Sequence, residues 1–155
     1  MDHDGDNYRK QCLLVAEQLQ TLGYFSEAIE LYSRISEWPL ATTLIVKLSA
    51  GRIRAGDFES LSQWLSAIPW HWSQRCPRVL YLKALTSSKL NPTNLMQPFE
   101  MLNRAEQLLS DAIASDKQQS IAQLTAMAFD NKEQATNLLE EVHNLRAEFI
   151  RSHGS

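Results

Sequence analysis

Two stretches of this chain read alike: Gly23-Tyr24-Phe25-Ser26-Glu27-Ala28-Ile29-Glu30-Leu31-Tyr32 and, 33 residues further on, Gly56-Asp57-Phe58-Glu59-Ser60-Leu61-Ser62-Gln63-Trp64-Leu65. Each opens on a glycine and places a phenylalanine two residues later. A small or apolar residue follows at the fifth position (Ala28, Leu61) and a bulky one at the ninth (Tyr32, Leu65). Glycine suits the residue just past a helix, because the left-handed conformation costs it no Cβ clash. The aromatic is placed to pack between two helices, and the small residue lets them approach closely. Each stretch is therefore a turn followed by a second, antiparallel helix.

The flanking sequence supports this. Apolar residues recur at helical spacing through Leu13-Ala16-Leu19, Leu44-Ile45-Leu48-Ile53, Val79-Leu82-Ala84-Leu85, Leu102-Ala105-Leu108-Leu109-Ile113, Ile121-Leu124-Ala128 and Leu138-Val142-Leu145-Phe149. No stretch alternates with period two, so no sheet is expected. Punctuation falls between the stripes. Asp57 can cap the helix after Gly56, and Pro77 suits a first helical position. Pro39 and Pro69 are placed to close second helices, Asn91 begins a third turn, and Pro98 can open the helix after it. Asp130, with Glu133 at capping-box spacing, can start the last helix. A unit of about 34 residues built from two antiparallel helices is the tetratricopeptide period. The expectation is an all-α, right-handed superhelix of antiparallel pairs, with about seven or eight helices. The stretch 92–130 exceeds one unit and is read as a lengthened second helix plus one extra helix. Residues 1–8 are read as a disordered acidic tail and 9–155 as a single repeat domain.

The chain is 155 residues long and 44% hydrophobic, with five Gly and five Pro. That is enough apolar material for one domain and too little Gly and Pro for low-complexity disorder. No apolar run is long enough to span a membrane, and the acidic start lacks a signal-peptide core. Cys12 and Cys76 make no disulfide framework, which fits a cytoplasmic location. The overall formal charge is −3. It is segregated into −4 over residues 1–46, +5 over 47–104 and −4 over 105–155. The basic middle is expected to face an acidic neighbour or water, not nucleic acid.

Candidate chemistry is sparse. His71, Arg75 and Cys76 lie close in sequence between tryptophans, yet a nucleophilic cysteine also needs a base and an electropositive pocket. They read better as an inter-repeat loop. His3, His71, His143, His153 and the cysteines show no metal-ligand spacing. Asp2, Asp4 and Asp6 alternate like a calcium loop, but Leu13 stands where a glutamate is required. Glu148 and Arg151 form an ordinary helix-surface pair. No catalytic residue, cofactor or metal is expected.

One resemblance is more specific than any single motif. The order Gly23-x-Phe25-x-Glu27-Ala28-Ile29, then Ala50-Gly51…Gly56-Asp57-Phe58…Trp64-Leu65-x-x-Ile68-Pro69, then Cys76-Pro77-Arg78-Val79-Leu80-x-Leu82-x-Ala84 resembles the helical-repeat region of MalT-like, LuxR-family transcriptional activators. Leu139-Glu140-Glu141-Val142-x-x-Leu145-Arg146-Ala147 resembles it too, so the likeness spans most of residues 10–151. In that family the repeats share one chain with an ATPase module and a helix-turn-helix domain. The sequence contains no Gly-x-x-x-x-Gly-Lys-Ser/Thr loop and no separate recognition helix, and Gly154 stands where a partner helix would begin. The chain therefore reads as a fragment of a longer array. The resemblance implies a non-enzymatic module that recognises a signal, with a small-molecule inducer compatible, and contacts other domains or a protein partner without binding DNA itself. The alternatives are a free-standing tetratricopeptide adaptor that binds a partner peptide and, less favoured, an enzyme. In such arrays the first helix of each pair lines the concave groove. That places Leu13, Glu17 and Gln20, then Val46, Ala50 and Ile53, then Arg78, Tyr81 and Leu85 on a candidate docking face, with Arg78 and Tyr81 as its anchors; the equal alternative is that this strip packs against the chain's own later helices.

Overall fold

The two glycine turns close in the same way. Gly23 and Gly56 have φ of 90° and 73°. The amide of each donates three residues back, to Gln20 and Ile53, while the amides of Tyr24 and Asp57 donate five residues back, to Leu19 and Arg52. This is the Schellman arrangement, which satisfies the last carbonyls of a helix. Two-residue connections then turn α1 (Asp2–Leu22) into α2 (Phe25–Arg34) and α3 (Trp38–Ala55) into α4 (Phe58–Ser66). The carboxylate of Asp57 accepts from the amide of Ser60 at 3.2 Å, the expected cap of α4. Hydrogen bonds from Ser60, reinforced by Arg52, hold that carboxyl below its ordinary pKa.

The computed structural model describes residues 2–115 and 132–154. After α4 come a single-turn helix α5 (Trp70–Ser73), α6 (Pro77–Leu90), α7 (Met96–Ser115) and α8 (Lys132–Gly154). Every regular element among the described residues is a helix. Pro77 occupies the first turn of α6, as its missing N–H favours. At 20 residues, α7 is about twice as long as α2 or α4, which accounts for part of the long third unit. The stripe at Ile121, Leu124 and Ala128 and the cap at Asp130 lie outside the described residues.

Packing follows the repeat. The pairs are α1–α2, α3–α4 and α6–α7; between pairs, α2 meets α3, α4 meets α6 and α7 meets α8. First helices also touch first helices (α3–α6, α6–α8), and α2 touches α4. The chain thus has an all-α helical-repeat fold, and α8 stands where the first helix of a fourth pair belongs. One apolar cluster joins α1–α4 to one side of α6 through Ile29, Tyr32, Ile45, Leu61, Trp64, Val79 and Leu82. A second joins the other side of α6 to α7 and α8 through Leu80, Leu85, Leu102, Leu109, Leu138 and Val142. Burying each such side chain contributes about 1.5–3 kcal/mol.

Three local expectations need correction. Residues 1–8 were expected as a disordered tail, yet α1 is helical from Asp2; acidic residues are favoured at the positive end of a helix. Pro39 opens α3 and does not close α2, because it sits within the first turn, where no N–H is needed. Asn91 does follow α6, but with φ −140° and a single bond to the Ser87 carbonyl, so the third turn is not a copy of the first two. The turn from α2 to α3 instead repeats the Schellman pattern around Ser36 (φ 57°), whose amide donates to Ser33 while that of Glu37 donates to Tyr32.

Candidate docking face

The structure divides the nine residues picked for the groove into four groups. Glu17 and Ala50 are exposed. Leu13, Val46 and Ile53 are half-buried and pack against the first cluster; Ile53 also touches the second. The remaining polar members are engaged within the chain. Gln20 donates to the hydroxyl of Tyr32 at 2.6 Å, bracing α1 against α2. Arg78 pairs with Glu141 on α8 at 3.0 Å. Tyr81 lies between the two clusters; burial raises its pKa, Glu141 and Glu148 push the same way, and Arg78 opposes them. Leu85 is buried in the second cluster.

Arg78 and Tyr81 therefore meet the chain's own last helix. Part of the +5 of the middle region is neutralised by the acidic C-terminal region, as the charge segregation suggested it should be by some acidic neighbour. Packing against a later helix is the alternative the spacing left open, and alternation of charge along the chain was the signal for Glu141 as the partner. Lys47, Gly51 and Arg54, which the spacing did not single out, are all exposed beside Ala50 on α3. Lys47 and Arg54 are seven residues apart, so they share a helix face with Ala50 between them. The next basic residue, Arg52, faces the other way: it bonds Asp57 at 3.3 Å and lies 5.5 Å above the Trp64 ring. The open part of the face is thus a smooth strip on α3, Ala50 and Gly51, flanked by two cations.

Elsewhere the side chains serve packing. Cys76 is fully buried, and desolvation pushes its thiol pKa up to about 11, the reverse of what a nucleophile requires. His71 is exposed on α5. Trp72 donates to Thr42 at 3.0 Å, so this loop ties α5 to α3. Among the described residues no three His, Cys, Asp or Glu cluster as metal ligands, and no helix is long and apolar enough to cross a membrane. A depression of about 280 Å³ lined by Leu65, Lys83, Leu90 and Met101 falls below the roughly 300–1,000 Å³ of pockets for drug-sized ligands. Lys83 there already donates to the Ile68 carbonyl at 3.2 Å, and burial lowers its pKa.

No protein-family model, curated protein or solved structure matches the chain.

Proposed function

We propose that this chain is a non-enzymatic, tetratricopeptide-like docking module that relays a signal to other domains, as the repeat region of a MalT-like, LuxR-family regulator does. The order of the turn motifs and the Trp64-Leu65-x-x-Ile68-Pro69 junction support the family reading. The observation that carries the docking reading is the open strip on α3, where Ala50 and Gly51 leave room between Lys47 and Arg54 while the neighbouring first helix, α6, is occupied by α8. Small residues between cations suit a protein segment carrying both apolar and acidic groups, whether from another domain of the same polypeptide or from a separate partner. Docking rather than catalysis is favoured because Cys76 is buried with its thiol pKa raised and Gln20, Arg78 and Lys83 are engaged in holding helices together.

The test is a Lys47→Glu/Arg54→Glu variant in the full-length regulator, read by signal-dependent reporter transcription and by helix content and melting of the purified protein. Both positions are exposed, so folding should be unchanged and the response should fall. A well-folded variant with an unaltered response overturns the reading. The adaptor alternative is separated by the coding sequence: an adaptor's frame ends near residue 155, a regulator's continues for hundreds of residues.

A further inference from the structure

The depression beside α6 departs from the repeat that surrounds it. Ala16, Ser49 and Ala84 each stand seven residues before Gly23, Gly56 and Asn91, and all three are buried. This register sets Lys83 against Leu48. Leu48 packs against the first apolar cluster. Lys83 instead brings an ammonium to the corresponding place and lines an opening between α4, α6 and α7. The third turn differs at the same point. Two residues join the helices at Gly23 and at Gly56, whereas residues 91–95 separate α6 from α7.

Lys83 is a cation without a counter-ion. Its Nζ donates to the Ile68 carbonyl at 3.2 Å, which uses one of the three donors of an ammonium. Among the described residues no carboxylate pairs with it, and desolvation alone accounts for its lowered pKa. Charged side chains are rarely taken out of water without a partner, because an uncompensated buried charge is costly.

The surroundings indicate the partner's chemistry. Ser87 and Asn91 follow Lys83 at four-residue intervals and line the same depression, so three donor groups run along one side of α6. The Asn91 carboxamide oxygen accepts from Thr93 at 2.9 Å, which leaves its NH2 group to donate. Leu65, Leu90 and Met101 supply apolar wall, and Leu90 is 46% exposed. A space of about 280 Å³ suits a molecule smaller than a drug-sized ligand.

We propose that this depression binds a small monocarboxylic acid with a compact apolar body, its carboxylate on Lys83 and Ser87 and its body against Leu65, Leu90 and Met101. The carboxylate supplies the missing negative charge and accepts charge-assisted hydrogen bonds. The apolar body removes exposed hydrocarbon from water. The site lies apart from the strip on α3 and does not depend on what that strip binds.

The test is titration of the isotope-labelled 155-residue chain with benzoate and with hexanoate, followed by amide NMR. Benzamide, which lacks the charge, and acetate, which lacks the apolar body, serve as reference compounds. At least one of the two acids should shift the amides of Ser66, Ser87 and Leu90 saturably at millimolar concentration, and acetate should bind more weakly. Loss of the charge should weaken binding about ten- to hundredfold, as for a hydrogen bond to a charged group. Lys83→Met should lose affinity by the same factor, and Lys83→Arg should retain most of it. Ser66→Phe adds a ring at the exposed edge of the depression and should abolish binding with Lys83 untouched. Circular dichroism should show unchanged helix content in all three variants. The proposal is overturned if neither acid binds, if benzamide binds as well as benzoate, or if the shifts fall around Lys47 and Arg54 instead. Undiminished binding to a folded Lys83→Met or Ser66→Phe variant overturns it as well.

Discussion

The first and last helices, α1 and α8, occupy equivalent positions and present opposite surfaces. Both are first helices of a pair, and both bury an apolar stripe on a neighbour: Ala16 beside α2, and Leu138, Val142 and Phe149 beside α7. The exposed residues of α8 include Glu140, Glu148 and Arg151, with Glu141 turned to Arg78 on α6 and Ile150 57% exposed. The outer side of α1 carries Tyr8, Leu14, Val15 and Leu22. The surface of α8 is thus mainly charged and that of α1 mainly apolar.

The comparison breaks first if burial does not track the energetic difference between the two helices. Leu138→Ala, at a fully buried α8 position, should cost about 2–5 kcal/mol in denaturant unfolding. Leu14→Ala, 62% exposed on α1, should stay within about 0.5 kcal/mol. Equal losses would mean that the outer face of α1 is covered within the monomer.

The next largest effect lies at the turn that attaches α1 to the rest. Gly23→Ala should cost about 1–2 kcal/mol. Nothing lies within 4 Å of the added Cβ, so the left-handed backbone accounts for the whole loss. Gly56→Ala should cost the same, and a clear inequality between the two would show that the turns are not equivalent. Ser36→Gly should act in the other direction. It relieves a left-handed non-glycine residue while loosening the unfolded chain, for a net gain of about 0.5 kcal/mol in melting or denaturant titration.

The smallest effects sharpen the parallel between the ends. An arginine pair reaches a neighbouring element at each end, and α8 is tied to α7 as well by Arg146, which bonds Glu106 and Asn103. Arg9 on α1 bonds Glu37 and the Ile35 carbonyl; Arg78 on α6 bonds Glu141 on α8. All four side chains are partly exposed, so double-mutant cycles should give about 0.2–1 kcal/mol for each pair. Added salt should shrink both coupling energies. A salt-insensitive coupling at either end would indicate a drier junction than the exposure implies.

Much of this architecture was legible in order along the chain. Helical periodicity, Gly23 and Gly56, the Asp57 cap and Pro77 were each readable because the cause is local: a turn or cap involves residues within five positions of one another. The turn at Ser36 was not readable, since nothing in a serine announces a left-handed backbone; the packing of α2 against α3 imposes it. The acidic start was misread for a related reason. Its composition resembles a solvated tail, but continuity with a well-packed helix extends the helical conformation through it.

The candidate face shows the same division. The spacing placed Glu17, Val46, Ala50, Ile53, Arg78 and Tyr81 on first helices, because helical period and turn position are properties of sequence. It could not say which of them would remain open. That depended on α8 returning to α6, which sets Glu141 against Arg78 across 63 positions of sequence. A periodic pattern specifies that a face is apolar or charged. Only the arrangement of helices in space specifies what lies opposite it, because burial and pairing belong to two surfaces and the sequence of either one records only its own.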